Sequence, residues 1–215
     1  MKTITEQKAL EEIEQMVEKD HKIYLIGCGT CATMCRTGGK EEIVRMRDYL
    51  HEKGKEVTGW MVIPTACDEL TEEAIRQENK HIEEADSILV MTCAFGVQTV
   101  SSYLEKPIYP ALNTLFIGKL DVDGTFSEIC KQCGECVLGR AAGICPVTTC
   151  AKGLLNGPCG GTNKGKCEVD KDKDCAWTLI YNRLERMGRL DDMRQIQPPK
   201  NYGIKTFKKY SIKEA

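Results

Sequence analysis

"KIYLIGCGTCATMC" (Lys22–Cys35) is the stretch that decides the fold. Its first six residues are a short, mostly apolar run that ends in glycine and is followed by cysteine, and a run of this length bounded by turn residues reads as a buried strand. Upstream, Leu10, Ile13 and Val17 recur at helical spacing, and the whole N-terminal stretch "MKTITEQKALEEIEQMVEKD" reads as polar and helical. Downstream, Lys40–Gly54 reads as a helix with Ile43, Met46 and Leu50 inward and Gly54 as its stop. Glu56–Pro64 is a second strand, Thr71–Ala85 a helix, Ser87–Met91 a third strand and Gly96–Glu105 the start of another helix. Strands alternating with helices imply a mostly parallel sheet, so residues 1–118 read as a Rossmann-like α/β domain.

The chain has 215 residues and a net charge of −2, and its charges are mixed, so no global basic field points to nucleic acid. No apolar run approaches a membrane span and no export signal opens the chain, which gives the expectation of a cytoplasmic protein without membrane insertion. Thirteen cysteines are far above ordinary usage. In a reducing compartment such density points to metal before disulfides. The three histidines, His21, His51 and His81, all lie far from the cysteine-rich C-terminal part.

The cysteines fall into two groups, with a boundary near "KLDVDGTFSE" (119–128). Cys28 follows the first strand read above, Cys67 the second and Cys93 the third. In a parallel sheet the carboxyl ends of the strands share one edge, where ligands bind, so these three are expected to converge. Cys31 and Cys35 are four apart and share a helix face if a helix begins near Thr30. Five thiols then surround one pocket, and a cubane takes four. The competing reading, a small buried hydrophobe, suits any one of these cysteines alone better than all of them together. "GCGTCA" also fits G-x-G-x-x-A, but the second strand lacks the acidic residue that would bind a ribose, and cysteines occupy the turn where a pyrophosphate would rest. A nicotinamide site is therefore not expected.

The second group is Cys130, Cys133, Cys136, Cys145, Cys150, Cys159, Cys167 and Cys175, within residues 119–215. "CKQCGECVLGRAAGICP" carries C-x2-C-x2-C followed by C-P, an iron–sulfur ferredoxin pattern, although its last gap is eight residues where three is usual. In two-cluster ferredoxins the fourth cysteine crosses to the other cluster, so the partner set of Cys145 stays open. Zinc is the rival, but structural zinc sites show separated C-x2-C pairs. Eight cysteines make two sets of four. The expectation is two [4Fe–4S] clusters in a small ferredoxin-like iron–sulfur module, with one cluster plus one zinc as the alternative and a third cluster in the first domain. Aliphatic residues are sparse in this stretch, so metal is expected to organise it. A terminal helix at 176–193 carries Trp177, Ile180, Leu184 and Met187 along one face, read as core with an interface as the alternative. The tail lysines Lys200, Lys205, Lys208, Lys209 and Lys213 read as solvated, or as a docking segment for an acidic surface.

"GCGTCATMCRTGG", "CAFGVQTV", "CKQCGECVLGRAAGICPVTTCAKGLLNGPCGG" and "CAW" resemble the methylenetetrahydrofolate reductase C-terminal family, and most closely the iron–sulfur small subunits of acetogen-type methylenetetrahydrofolate reductase. The likeness runs roughly from Lys22 to Lys200. It implies a non-catalytic electron-transfer subunit that feeds the FMN of a separate TIM-barrel catalytic subunit, in the methyl branch of the Wood–Ljungdahl pathway. It also implies an upstream donor: ferredoxin, a nicotinamide-oxidising module or a heterodisulfide-reductase-like partner. The family's cysteines fall on the positions named above, and the resemblance does not say which of the first five is spare. No phosphate loop, Ser–His–Asp set or flavin fingerprint is present. A second reading, a zinc-stabilised scaffold joining the catalytic subunit to a donor, stands beside the relay.

Overall fold

The computed structural model describes residues 2–205 and divides into two units that meet at Gly118 and Lys119. The first unit contains β1 (Lys2–Gln7), α1 (Leu10–Met16), β2 (Lys22–Cys28), α2 (Cys31–Met34), α3 (Lys40–Glu52) and β3 (Glu56–Ile63). It continues with α4 (Leu70–Gln77), α5 (Asn79–Glu84), β4 (Ser87–Met91), α6 (Ala94–Ser101), β5 (Ile108–Pro110) and β6 (Leu112–Leu120), which runs just past the boundary.

Four strands form a parallel sheet in the order β3-β2-β4-β5. Alternation along β2 and β4 sends their side chains to two cores. Tyr24, Ile26, Ile88 and Val90 pack with Ile75, Ile82 and Val100 of the helices on one face. Ile23, Leu25, Leu89 and Met91 pack with Ile13, Val17, Ile43, Met46 and Leu50 on the other. Strands buried on both faces have to be apolar throughout, which is why "KIYLIG" and "SILVM" read so clearly.

The first strand corrects the sequence reading. Lys2–Gln7 is not helical but pairs antiparallel with β6, from Lys2 opposite Gly118 to Gln7 opposite Leu112. The β-branched run Thr3-Ile4-Thr5 supplies the local preference, and all three side chains are buried. The helix expected over Thr71–Ala85 is likewise two helices, α4 and α5, with Glu78 between them.

The second unit is mostly turn. After β7 (Phe126–Glu128) it holds one single-turn helix, α7 (Pro146–Thr149), and α8 (Ala176–Arg186), followed by short 3-10 turns at Leu190–Arg194 and Tyr202–Lys205. α8 stops earlier than the periodicity predicts, because Gly188 takes φ +64 and the Arg189 N–H returns to the Leu184 carbonyl at 2.9 Å. A small core is present after all. Ala141, Ala142, Trp177, Ile180 and Leu184 are buried together, and the Trp177 indole N–H donates to the Leu154 carbonyl at 3.0 Å. The apolar stripe of α8 is thus core, with only Met187 half exposed. Among the described residues no helix is long and apolar enough to cross a membrane.

Candidate metal centres

The strand order places Cys28, Cys67 and Cys93 at neighbouring strand ends. β2 lies between β3 and β4, so the residues that follow all three strands meet at one edge, where the connections diverge to opposite sides of β2. Cys28 is the buried last residue of β2, Cys67 is exposed in the turn after β3, and Cys93 is buried as the N-cap of α6. Hydrogen bonds fix this edge. The Gly29 N–H donates to the Ile63 carbonyl at 2.8 Å, the Thr30 hydroxyl donates to the Pro64 carbonyl at 2.8 Å, and the Thr33 hydroxyl donates to the Cys28 carbonyl at 2.7 Å.

The chain then returns beneath the cysteines. The Cys28 N–H donates to the Gly38 carbonyl at 3.0 Å, and a Cβ on Gly38 would stand 1.9 Å from the Met91 carbonyl oxygen, so only glycine fits against the end of β4. Cys31 opens α2 and Cys35 caps it. Both face Thr3 of β1: its N–H donates to Cys31 Sγ at 3.5 Å, and its carbonyl oxygen lies 3.8 Å from Cys35 Sγ.

The electrostatics couple the strand ends. Partial desolvation in the turn, together with the neighbouring Cys93, Cys28 and Cys31 sulfurs, pushes the Cys67 thiol up. Burial also raises Cys28, but hydrogen bonds from the Ala66 backbone, the Thr30 hydroxyl and backbone and the Ala32 backbone outweigh it, leaving that thiol below its ordinary range. Three sulfurs that act on a fourth at the edge of a parallel sheet are a donor set suited to a thiophilic metal group.

In the second unit the eight cysteines sort into two fours. Cys130, Cys133, Cys136 and Cys145 line one cavity of about 320 Å³. Left-handed backbone at Gln132 (φ +50) and Gly134 (φ +82) curls the C-x2-C-x2-C loop, and the Gln132 N–H donates to Cys130 Sγ at 3.3 Å. A second left-handed pair, Ala142 and Gly143, turns the chain back so that Cys145 joins the first three, and Pro146 opens α7 directly after it. The long last gap is therefore a return loop, and Cys145 lines the same cavity as the triad.

Cys150, Cys159, Cys167 and Cys175 line a second, smaller cavity of about 20 Å³, together with Thr149, Thr162 and Trp177. Cys150 caps the C-terminus of α7 and Cys175 the N-terminus of α8. Burial raises Cys175, but the Thr178 backbone and hydroxyl, the Thr162 hydroxyl and the Trp177 backbone together lower it. The single turn of α7 thus joins the two sets, with Cys145 at one end and Cys150 at the other. All thirteen cysteines are free thiols. Among the described residues no three His, Cys, Asp or Glu side chains are arranged to hold a metal ion as they stand. In a cubane each thiolate takes its own iron, so the ligands surround a volume instead of meeting at a point, and the cavity lined by Cys130, Cys133, Cys136 and Cys145 fits that requirement.

Sequence reasoning missed two features. Lys200, expected in a solvated tail, folds back so that its ammonium donates to the Glu135 carbonyl. Thr3 touches two cysteines from a strand that was read as helix. Of the other tail lysines, Lys208, Lys209 and Lys213 lie outside the described residues.

Residues 109–203 match the family described as methylene-tetrahydrofolate reductase C terminal. The match spans all eight cysteines of the second group and none of the first five, and it links this under-half portion of the chain to methylenetetrahydrofolate reductases. Searches of curated proteins and of solved structures gave no significant match.

Proposed function

We propose that this chain is the iron–sulfur subunit, of the MetV type, of a methylenetetrahydrofolate reductase, and that it relays electrons to the flavin of a TIM-barrel catalytic subunit. The observation that carries the reading is the division of the eight C-terminal cysteines into two sets of four joined by α7. The family match over the same residues supplies the chemical context.

In this reading Cys130, Cys133, Cys136 and Cys145 hold one [4Fe–4S] cluster and Cys150, Cys159, Cys167 and Cys175 a second. Cys28, Cys31, Cys67 and Cys93 hold a third, with Cys35 spare. When bound, such clusters store and pass single electrons. The chain's own residues hold the thiolates in place. Gln132 donates a backbone N–H to sulfur, Thr178 and Thr162 offer hydroxyls at Cys175, and Thr30 sits 3.5 Å from Cys28 Sγ. Hydrogen bonds of this kind favour the thiolate and set cluster potentials. The cysteines of the first unit account for the sheet-edge placement, and those of the second for a turn-rich module with a five-residue apolar core. The proposed setting is cytoplasmic, with ferredoxin, a nicotinamide-oxidising module or a heterodisulfide-reductase-like protein as donor.

One observation favours a second reading at one site. The cavity of about 20 Å³ at Cys150, Cys159, Cys167 and Cys175 has room for little more than a water, and a single zinc ion needs less space than a cubane. Iron, sulfide and zinc analysis of anaerobically purified protein separates the two. About twelve irons and twelve sulfides per chain support three clusters. About eight irons with one zinc support the mixed module, and zinc alone in a colourless protein leaves only a scaffold role.

A further inference from the structure

The segment after α8 returns to the cysteine loop and is tied to it at several points. Gln197 is clamped by Asn156: the Gln197 N–H donates to Asn156 Oδ1 at 2.6 Å, and Asn156 Nδ2 donates to the Gln197 carbonyl at 2.9 Å. Three residues on, the Lys200 ammonium donates to the Glu135 carbonyl, and the Asn201 N–H donates to the Glu135 carboxylate at 2.9 Å. Ile204 then lies over Gly134, where an added Cβ would stand 2.6 Å from Ile204 Cγ2. Gly134 and Glu135 are the two residues between Cys133 and Cys136, so this strap covers the loop at the C-x2-C-x2-C motif.

The strap also delivers a cation to sulfur. The Glu135 carbonyl oxygen that accepts from the Lys200 ammonium also lies 3.5 Å from Cys133 Sγ, so the cation and this sulfur share one backbone oxygen. A lysine on an exposed tail would spend its charge in water. Here the side chain is partly buried and held on the Glu135 backbone, between Cys133 and Cys136 of the four-cysteine cavity, while the Glu135 carboxylate is turned to the strap backbone.

We infer that Lys200 is a positioning residue that raises the reduction potential of the group held by Cys130, Cys133, Cys136 and Cys145. This rests on the proposed cluster at those cysteines. Gain of one electron makes such a group one unit more negative, and a fixed cation beside it stabilises the reduced form over the oxidised one. The partial burial of the ammonium limits the screening that weakens exposed pairs.

The test is an anaerobic spectroelectrochemical titration of the full chain, followed by absorbance and electron paramagnetic resonance, on wild type, Lys200→Met, Lys200→Arg and Cys133→Ser. Cys133→Ser identifies the redox step that belongs to this set. Lys200→Met is expected to shift that step about tenfold toward the oxidised form, a fall of ~59 mV for one electron, with the other steps unmoved. Lys200→Arg is expected to restore most of it. An unchanged step in Lys200→Met, or equal shifts in both lysine variants, overturns the role of the charge while leaving the site reading intact. If Cys133→Ser alters neither iron content nor any redox step, the cluster assignment itself fails and this inference fails with it. Unchanged protease resistance at 197–204 in Lys200→Met excludes loss of the strap as the cause of a shift, whereas new cleavage there assigns the effect to exposure and overturns the role of the charge.

Discussion

The backbone N–H of Thr3 donates to Cys31 Sγ at 3.5 Å. The same residue's carbonyl lies against Cys35, so one residue of the first strand touches both cysteines of α2. Only Cys31 is among the sulfurs that act on Cys67, together with Cys28 and Cys93. Cys31→Ser is therefore expected to remove about four of some twelve irons per chain, and Cys35→Ser none. Iron and sulfide analysis of the two variants checks this, and equal loss in both would return Cys35 to the ligand set.

Convergence of the strand ends has a consequence for pH. In the metal-free protein, partial desolvation and three neighbouring sulfurs raise the Cys67 thiol, which disfavours its thiolate. Cys93→Ser removes the largest of the neighbouring charges, and Cys67 is expected to ionise at lower pH. The thiolate is the reactive form, so the pH profile of Cys67 alkylation, read by mass spectrometry, should move down. An unmoved profile means that Cys67 and Cys93 do not share an edge.

Gly38 supports that edge through its lack of a side chain. Gly38→Ala must displace the Met91 carbonyl, which ends β4, and also crowds the Ala32 methyl, 3.1 Å from the added carbon. The expected cost is about 1–3 kcal/mol, typical of forced overpacking. Denaturant unfolding of the first unit's signal measures it. Gly54→Ala serves as a contrast, since its Cβ meets no atom within 4 Å and only its φ of +75 is strained.

The parallel sheet was legible because strands buried on both faces are nearly continuous apolar runs, and β2 and β4 are apolar after their first residues, Lys22 and Ser87. The first strand was not legible. "KTITEQ" is short and polar at its ends, and its partner β6 lies more than a hundred residues away, where no local pattern reaches. The sequence presents the eight C-terminal cysteines as two sets of four, but not which cysteines share a set. Spacing gives the order of ligands along the chain. The return of Cys145 depends on left-handed backbone at Ala142 as well as Gly143, and alanine does not announce such a turn. Lys200 was read as solvated for the same reason, because Glu135 is sixty-five residues distant.

Metal should hold the second unit together more than the first. Its buried apolar core is five residues, centred on α8, whereas both faces of the parallel sheet are packed in the first unit. Chelation or oxidative cluster loss is expected to open residues 130–175 to proteases while residues 2–118 resist. Cys133→Ser should loosen the second unit, and Cys93→Ser should leave it intact. Limited proteolysis with mass mapping checks both, and equal resistance of the two units without metal would contradict the expectation.

The proposed relay is tested most directly by anaerobic stopped-flow on a complex of this chain with the proposed flavin-bearing barrel subunit, using an electron donor that enters through this chain. The account predicts that flavin reduction in the wild-type complex is fast, and that Cys133→Ser slows it at least tenfold while the complex still forms. Equal flavin reduction rates in the two complexes would contradict the relay and leave this chain a scaffold.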